Sequence, residues 1–252
     1  CIFCLLLFFS CHSAFADERL DSLLNVLDKT IKEADTYVQI KENKLHELKR
    51  EARKTAPLSI ERYHLNNDIY LEYKAYSSDS ALHYLNENLL LARQLNDKER
   101  ELKIQLELSY LLSSIGMYME AADILNSIDR QTLPTSLLGH YYTCYEHVYS
   151  EAGAAQPRYK MFASRYVKLS HVYRDSMEVT LDSSSATYLW LRETQLREAG
   201  KYDEAMEFSD RRLAEASFGT PQYALVAYQR FRLFESMGRS EERRVGKECR
   251  SR

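Results

Sequence analysis

The sequence predicts an all-α fold, a tandem array of helical hairpins preceded by a long N-terminal amphipathic helix. Three observations carry this. Only seven Gly and four Pro interrupt 252 residues, and no sustained run alternates β-branched and polar residues as a half-buried strand would. Gly200-Lys201-Tyr202-Asp203-Glu204-Ala205-Met206-Glu207-Phe208 has the form of a turn between paired helices. Its Gly can end a helix in the left-handed conformation, the aromatic two positions on plugs the turn, and the Ala lets the second helix approach closely. The pattern recurs in Gly116-Met117-Tyr118-Met119-Glu120-Ala121, where Tyr118 and Ala121 match Tyr202 and Ala205.

At the start of the chain, Ile2 to Phe9 is an uncharged apolar run, followed by Ser10-Cys11-His12-Ser13 and by Ala14-Phe15-Ala16 ahead of Asp17. A run this short does not span a bilayer, which takes about 20 apolar residues, and the Ala-x-Ala ending suits signal peptidase. Residues 1–16 therefore read as a truncated signal peptide cleaved after Ala16, the chain beginning within the signal. Lipidation of Cys11 is the alternative, and Phe8-Phe9-Ser10 is a poor lipobox for it. Residues 17–56 read as the amphipathic helix: Leu20, Leu24, Leu27, Ile31, Ala34, Val38, Leu45 and Leu48 follow heptad spacing with Lys41 interrupting. One apolar stripe suits packing along the first repeats; it also suits a homodimeric coiled coil.

Residues 57–238 read as degenerate tetratricopeptide repeats, the hairpin type whose turn the two Gly segments resemble. Tyr63 to Tyr76 makes one helix, and Asp79-Ser80-Ala81-Leu82-His83-Tyr84 opens the next with Ala81 at the close-packing position. A clearer unit has helix A from Leu102 to Ile115, the Gly116 turn, helix B from Ala122 to Ile128, and Pro134 as its close. The following unit has helix A from about Leu137 to Ala152 and a turn at Gly153, but Ala154-Ala155-Gln156-Pro157-Arg158 lacks the aromatic-x-x-Ala signature. Tyr188 to Ala199 precedes the Gly200 turn, and a last helix A runs from Tyr223 to Met237 and stops at Gly238. A repeat buries its faces only against its neighbours, so Ala224, Ala227, Phe231 and Phe234 are expected to be exposed.

Residues 239–252 read, codon after codon, as the translation of a sequencing adapter rather than a native tail. They carry six of the 34 Lys and Arg and three of the 37 Asp and Glu, leaving 28 against 34, a net of −6. A mildly acidic remainder without a basic cluster argues against nucleic acid as a partner. Of five cysteines, Cys1, Cys4 and Cys11 fall in the signal and Cys249 in the tail, so Cys144 alone remains and no internal disulfide is expected.

No enzyme is expected: the Gly-x-Ser-x-Gly elbow, the Gly-rich phosphate loop and the His-Glu-x-x-His pair are all absent from the sequence. His140, Cys144, His147 and Glu151 share one helix face, but four residues of one straight helix rarely converge on an ion, and the surrounding tyrosines suggest ordinary packing. Neither a metal nor any other cofactor is expected. Repeat register instead names a concave groove supplied by positions about ten and seven before the turn and their helical neighbours. These are Leu106 and Tyr110, Thr143 and His147, Trp190 and Thr194, Tyr228 and Arg232, with Arg197 one turn further on. Aromatics beside Arg and His suit a protein or peptide, or a glycan fragment, because flat rings give contact area at low entropic cost.

Leu20-Asp21-Ser22-Leu23-Leu24-Asn25-Val26-Leu27-Asp28, Tyr73-Lys74-Ala75-Tyr76, Asp79 to Tyr84, Tyr173-Arg174-Asp175-Ser176 and the Gly200 segment together resemble a Bacteroidota family of membrane-anchored tetratricopeptide proteins described as transcriptional regulators. The resemblance implies a non-enzymatic periplasmic repeat array on the outer side of the inner membrane. It also implies a transmembrane helix, a coiled coil and a cytoplasmic output region beyond Gly238. A periplasmic assembly scaffold is the alternative, and a nutrient-binding lipoprotein on similar repeats is a further one that expects a firm lipobox.

Overall fold

A computed structural model describes residue 25, residues 28–155 and residues 158–250, the stretch 239–250 by its backbone alone. The expected signal peptide and the first turns of the heptad stripe lie outside the described residues. The helices are α1 (Ala34–Lys54), α2 (Ile60–Tyr73), α3 (Ser78–Gln94), α4 (Lys98–Ser114), α5 (Tyr118–Ser127), α6 (Thr135–Ala155), α7 (Lys160–Thr180), α8 (Ala186–Glu198), α9 (Tyr202–Glu215) and α10 (Pro221–Arg250). Residues 28–32 are also helical, with a turn at Glu33, and no strand occurs among the described residues. The fold is all-α and built of tetratricopeptide-like hairpins. Among the described residues no helix is long and apolar enough to cross a membrane.

The chain divides into two compact units, one ending at Glu72 and one beginning at Tyr73. In the first, Leu45 and Ala52 of α1 and Tyr63, Ile69 and Tyr70 of α2 are buried. Glu72 ties the helices together by taking Lys41 at 3.2 Å and Lys44 at 2.5 Å. Among the described residues of the apolar stripe, Leu45 is buried and Leu48 half-buried, whereas Ile31 and Val38 are exposed.

The second unit is a run of hairpins whose turns are written locally. After α4, Met117 N–H donates to Leu112 O at 2.9 Å and Gly116 N–H to Ser113 O at 3.1 Å, while Gly116 holds φ at +88°. This is the Schellman arrangement, which satisfies carbonyls the helix end would leave bare. Gly200, at φ +75°, repeats it through Lys201 to Leu196 O and its own N–H to Arg197 O. Asn96, at φ +53°, makes the same turn after α3. The starts are capped as well: Ser77, Asp97 and Ser185 each accept from the backbone N–H three residues on. Ala81, Ala121 and Ala205, the three expected close-packing alanines, have no exposed surface. The main core joins α4, α5, α6, α7 and α8 around Leu106, Leu125, Cys144, Met177 and Leu191.

Two expectations are corrected. Gly153 does not end its helix; α6 runs to Ala155, and the missing Cβ instead gives room to α7, since an added Cβ would stand 3.4 Å from Tyr166 Cβ and 3.6 Å from Val167 Cγ2. Ala154 and Ala155 are good helix formers, so nothing local stops the helix at the glycine. Nor does Gly238 stop the last helix, which continues to Arg250. One interior Gly costs only about 1 kcal/mol against Ala, and Arg and Glu follow it.

Candidate binding groove

Helices α4 and α6, each the first of its hairpin, pack side by side. Glu107, Tyr110 and Ser114 lie three and four residues apart on α4, and His140, Thr143 and His147 recur at the same spacing on α6, so each set forms one stripe. The stripes meet. The rings of Tyr110 and His147 stack with centroids 4.0 Å apart and planes 10° from parallel, and Ser114 Oγ lies 2.9 Å from His147 Nε2. Glu107 stands 3.8 Å from His140 Nε2 and takes Lys74 Nζ at 3.3 Å. Lys74 also lies over the Tyr110 ring, 5.1 Å from its centroid.

Electrically this face is quiet apart from Lys74 and Glu107. Burial, helped by the Lys74 charge, lowers the His147 pKa to about 4, so its imidazole is neutral near pH 7. Burial also lowers that of His140 against the opposing pull of Glu107. Tyr110 is pushed up to about 12, first by burial and then by the negative groups around it, and keeps its proton. Such a surface offers rings, a hydroxyl and one ion pair rather than a strong field.

The Ser114 hydroxyl also bonds within its own helix. Ser114 Oγ donates its single proton to Tyr110 O at 2.9 Å. In the tautomer protonated at Nε2, His147 donates to Ser114 Oγ. Cys144 is spent elsewhere, its Sγ 3.4 Å from Leu106 O in the core. Among the described residues no three His, Cys, Asp or Glu side chains are grouped to hold a metal ion.

The sequence-expected positions fare unevenly. Tyr110, Thr143 and His147 share the α4–α6 face, Thr143 with its hydroxyl bonded back to Gly139 O at 2.7 Å. Leu106 and Thr194 are buried and present no surface to a partner. Leu106 points into the core because it lies one turn from Tyr110 on the inner flank of α4. Trp190 is partly buried against the same core, and Arg197 is half-buried on α8. Tyr228 and Arg232 are exposed on α10, with Arg232 paired to Glu235 at 3.4 Å. Sequence reasoning passed over Glu107 and Ser114, one turn either side of Tyr110, which helical spacing could have found. It passed over Lys74 as a contact because that residue lies between helices, outside any repeat register.

Further along the chain, α6 to α9 are joined by ion pairs around two buried arginines. Arg174 of α7 bonds Glu146 of α6 at 2.8 Å and Glu198 of α8 at 2.9 Å. Arg212 of α9 bonds Glu193 of α8 at 2.6 Å and also reaches Gln229 of α10. Within each cluster the opposite charges neutralise one another.

Residues 31–245 match the family model of the SusR N-terminal TPR domain. No curated protein matches the chain.

Proposed function

We propose a function from one premise: the chain belongs to the SusR N-terminal TPR domain family. A tetratricopeptide array is a scaffold that acts by contact with a protein or ligand, so its activity resides in surfaces rather than in a reaction. In this reading the chain is the periplasmic, sensory part of a membrane-anchored regulator, and the α4–α6 face receives a peptide or a glycan fragment. The observation that supports it best is the Tyr110–His147 stack with Lys74, Glu107 and Ser114 around it. Flat neutral rings beside a single ion pair favour a ligand with both a hydrophobic surface and hydrogen-bonding groups.

Two measurements test the reading. The single tryptophan, Trp190, reports binding by fluorescence during titration with short peptides and with oligosaccharides. Saturable binding that falls at least about tenfold in Tyr110→Ala and His147→Ala, or about 1.4 kcal/mol, is expected; binding indifferent to both changes removes the face from the proposal. Sequencing the source locus past Gly238 tests the sensory role. Further repeats, then about 20 apolar residues and a heptad-patterned stretch, are expected, whereas a frame closing after repeats alone would leave an assembly scaffold.

A further inference from the structure

The second hairpin helix after the α4–α6 pair has a surface of different character. From Ala152 to Arg174 the sequence has no Asp or Glu, while it carries Arg158, Lys160, Arg165, Lys168 and Arg174. Arg174 turns inward to Glu146 and Glu198. The other four are exposed, and among the described residues no carboxylate pairs with them. In an acidic chain, this is a local concentration of uncompensated positive charge that whole-chain composition hides, and it corrects the expectation that the mature segment lacks a basic cluster.

The same surface is apolar. α7 buries Ser170, Arg174 and Met177 on one side, so helical geometry puts Met161, Arg165, Lys168 and Val172 along the opposite line. Met161 is 73% exposed and Val172 58%, and Phe162 and Tyr159 stand exposed beside them at the start of the helix. An open groove of about 420 Å³ runs along Met161, Ser164, Arg165, Lys168, Leu169 and Val172. All its lining comes from this one helix. A fluid interface needs only cations that reach headgroups and apolar side chains that dip below them, and this one helix supplies both.

We propose that the outward face of α7, from Tyr159 to Val172, docks on an anionic phospholipid surface. Lys160, Arg165 and Lys168, with Arg158 at the end, meet the phosphates, and Tyr159, Met161 and Phe162 enter the headgroup boundary. The cations supply lipid selectivity and the apolar end supplies residence, since one without the other gives only weak and reversible attachment. The inference uses no residue of the α4–α6 face and does not depend on what that face binds.

Vesicle flotation of the full chain tests it, with phosphatidylcholine alone and with about one-third phosphatidylglycerol. Binding to the anionic vesicles only, weakening as salt rises, is the expected result. At about fivefold per cation, Arg165→Gln with Lys168→Gln should lower partitioning about 25-fold. Met161→Ser with Phe162→Ser should lower it further, while Phe231→Ser with Phe234→Ser on α10 should change nothing. All replaced side chains are exposed, so the thermal midpoints should stay together, and circular dichroism verifies this before flotation. No anionic binding, equal binding to both vesicles, or loss only through the α10 change overturns the proposal. Saturable binding of poly-glutamate without vesicle binding also overturns it and gives the face to an acidic protein segment.

Discussion

Gly200 and Gly139 are costly to replace for opposite reasons. At Gly200 φ is +75° and an added Cβ meets nothing within 4 Å, so Gly200→Val is penalised by backbone strain alone, about 1–3 kcal/mol, and the thermal midpoint should fall accordingly. At Gly139 the backbone is ordinary, but an added Cβ would lie 2.7 Å from Leu181 Cδ2 and 3.3 Å from Thr180 O. Gly139→Ala should therefore lose about 1–3 kcal/mol by pushing the end of α7 off α6, and an unchanged midpoint would mean that Leu181 simply rotates aside. The first glycine was legible in the sequence because its demand is local; the second was not, because it depends on a helix forty residues away. His147 adds a pH prediction. Its folded pKa of about 4 lies below the usual 6.5, so the fold favours the neutral ring. That contribution is fully present above pH 6.5 and is lost as pH falls toward 4. His147→Asn should reduce the loss of stability across that window in paired denaturant titrations, and parallel curves would contradict the burial argument.

Among the elements, the hairpins after α5 are fastened by buried charge as well as by apolar packing. Arg212 and Glu193 are each only 4% exposed in their side chains and lie 2.6 Å apart. Removing one leaves the other buried without its partner, so Arg212→Met should cost about 3–5 kcal/mol. Adding Glu193→Leu to that variant should recover much of the loss, because a matched apolar pair carries no desolvation penalty. A double variant no more stable than the single would show that Gln229 or the α9–α10 contact depends on the guanidinium itself. The sequence could not foresee this. Arg212 and Glu193 read as solvated helix charges until the neighbouring helices enclose them. The α6–α7 hairpin was difficult to read for a related reason. It replaces the aromatic-x-x-Ala turn with a ladder of stacked tyrosines, Tyr145 on Tyr173 at 4.6 Å and Tyr149 on Tyr173 at 5.7 Å, so its pairing is set by rings far apart in sequence.

At the scale of the molecule, α10 presents two unlike sides. Val226 and Leu233 are buried, and α9 packs against the helix. Leu225, Tyr228, Phe231 and Phe234 are exposed on the other side, with Phe231 at 61% and Phe234 at 50%. The sequence expected Phe231, Phe234 and Ala224 to be uncovered, as they are, with Ala227 half-buried. Such a face attracts dyes and other molecules in proportion to its apolar area. Phe231→Ser with Phe234→Ser should lower anilinonaphthalene sulfonate fluorescence and concentration-dependent association while changing the unfolding free energy by no more than about 0.5 kcal/mol, since exposed positions contribute little to the fold. A marked drop in midpoint would show that these rings support the packing of α10 on α9.

By itself the sequence determined the all-helical class, the hairpin turns at Gly116 and Gly200, and the close-packing alanines. Each follows from forces acting within a few residues: capping, glycine dihedrals and the period of an apolar stripe. It also named Tyr110, Thr143 and His147. Only the tertiary structure decided that Tyr110 and His147 stack, that Leu106 turns to the core, that Lys74 and Glu107 join the same face, and that Arg174 and Arg212 are internal. Those outcomes depend on how neighbouring helices rotate about their axes when they pack, and a turn of a few tens of degrees moves a residue from groove to core without changing any local pattern.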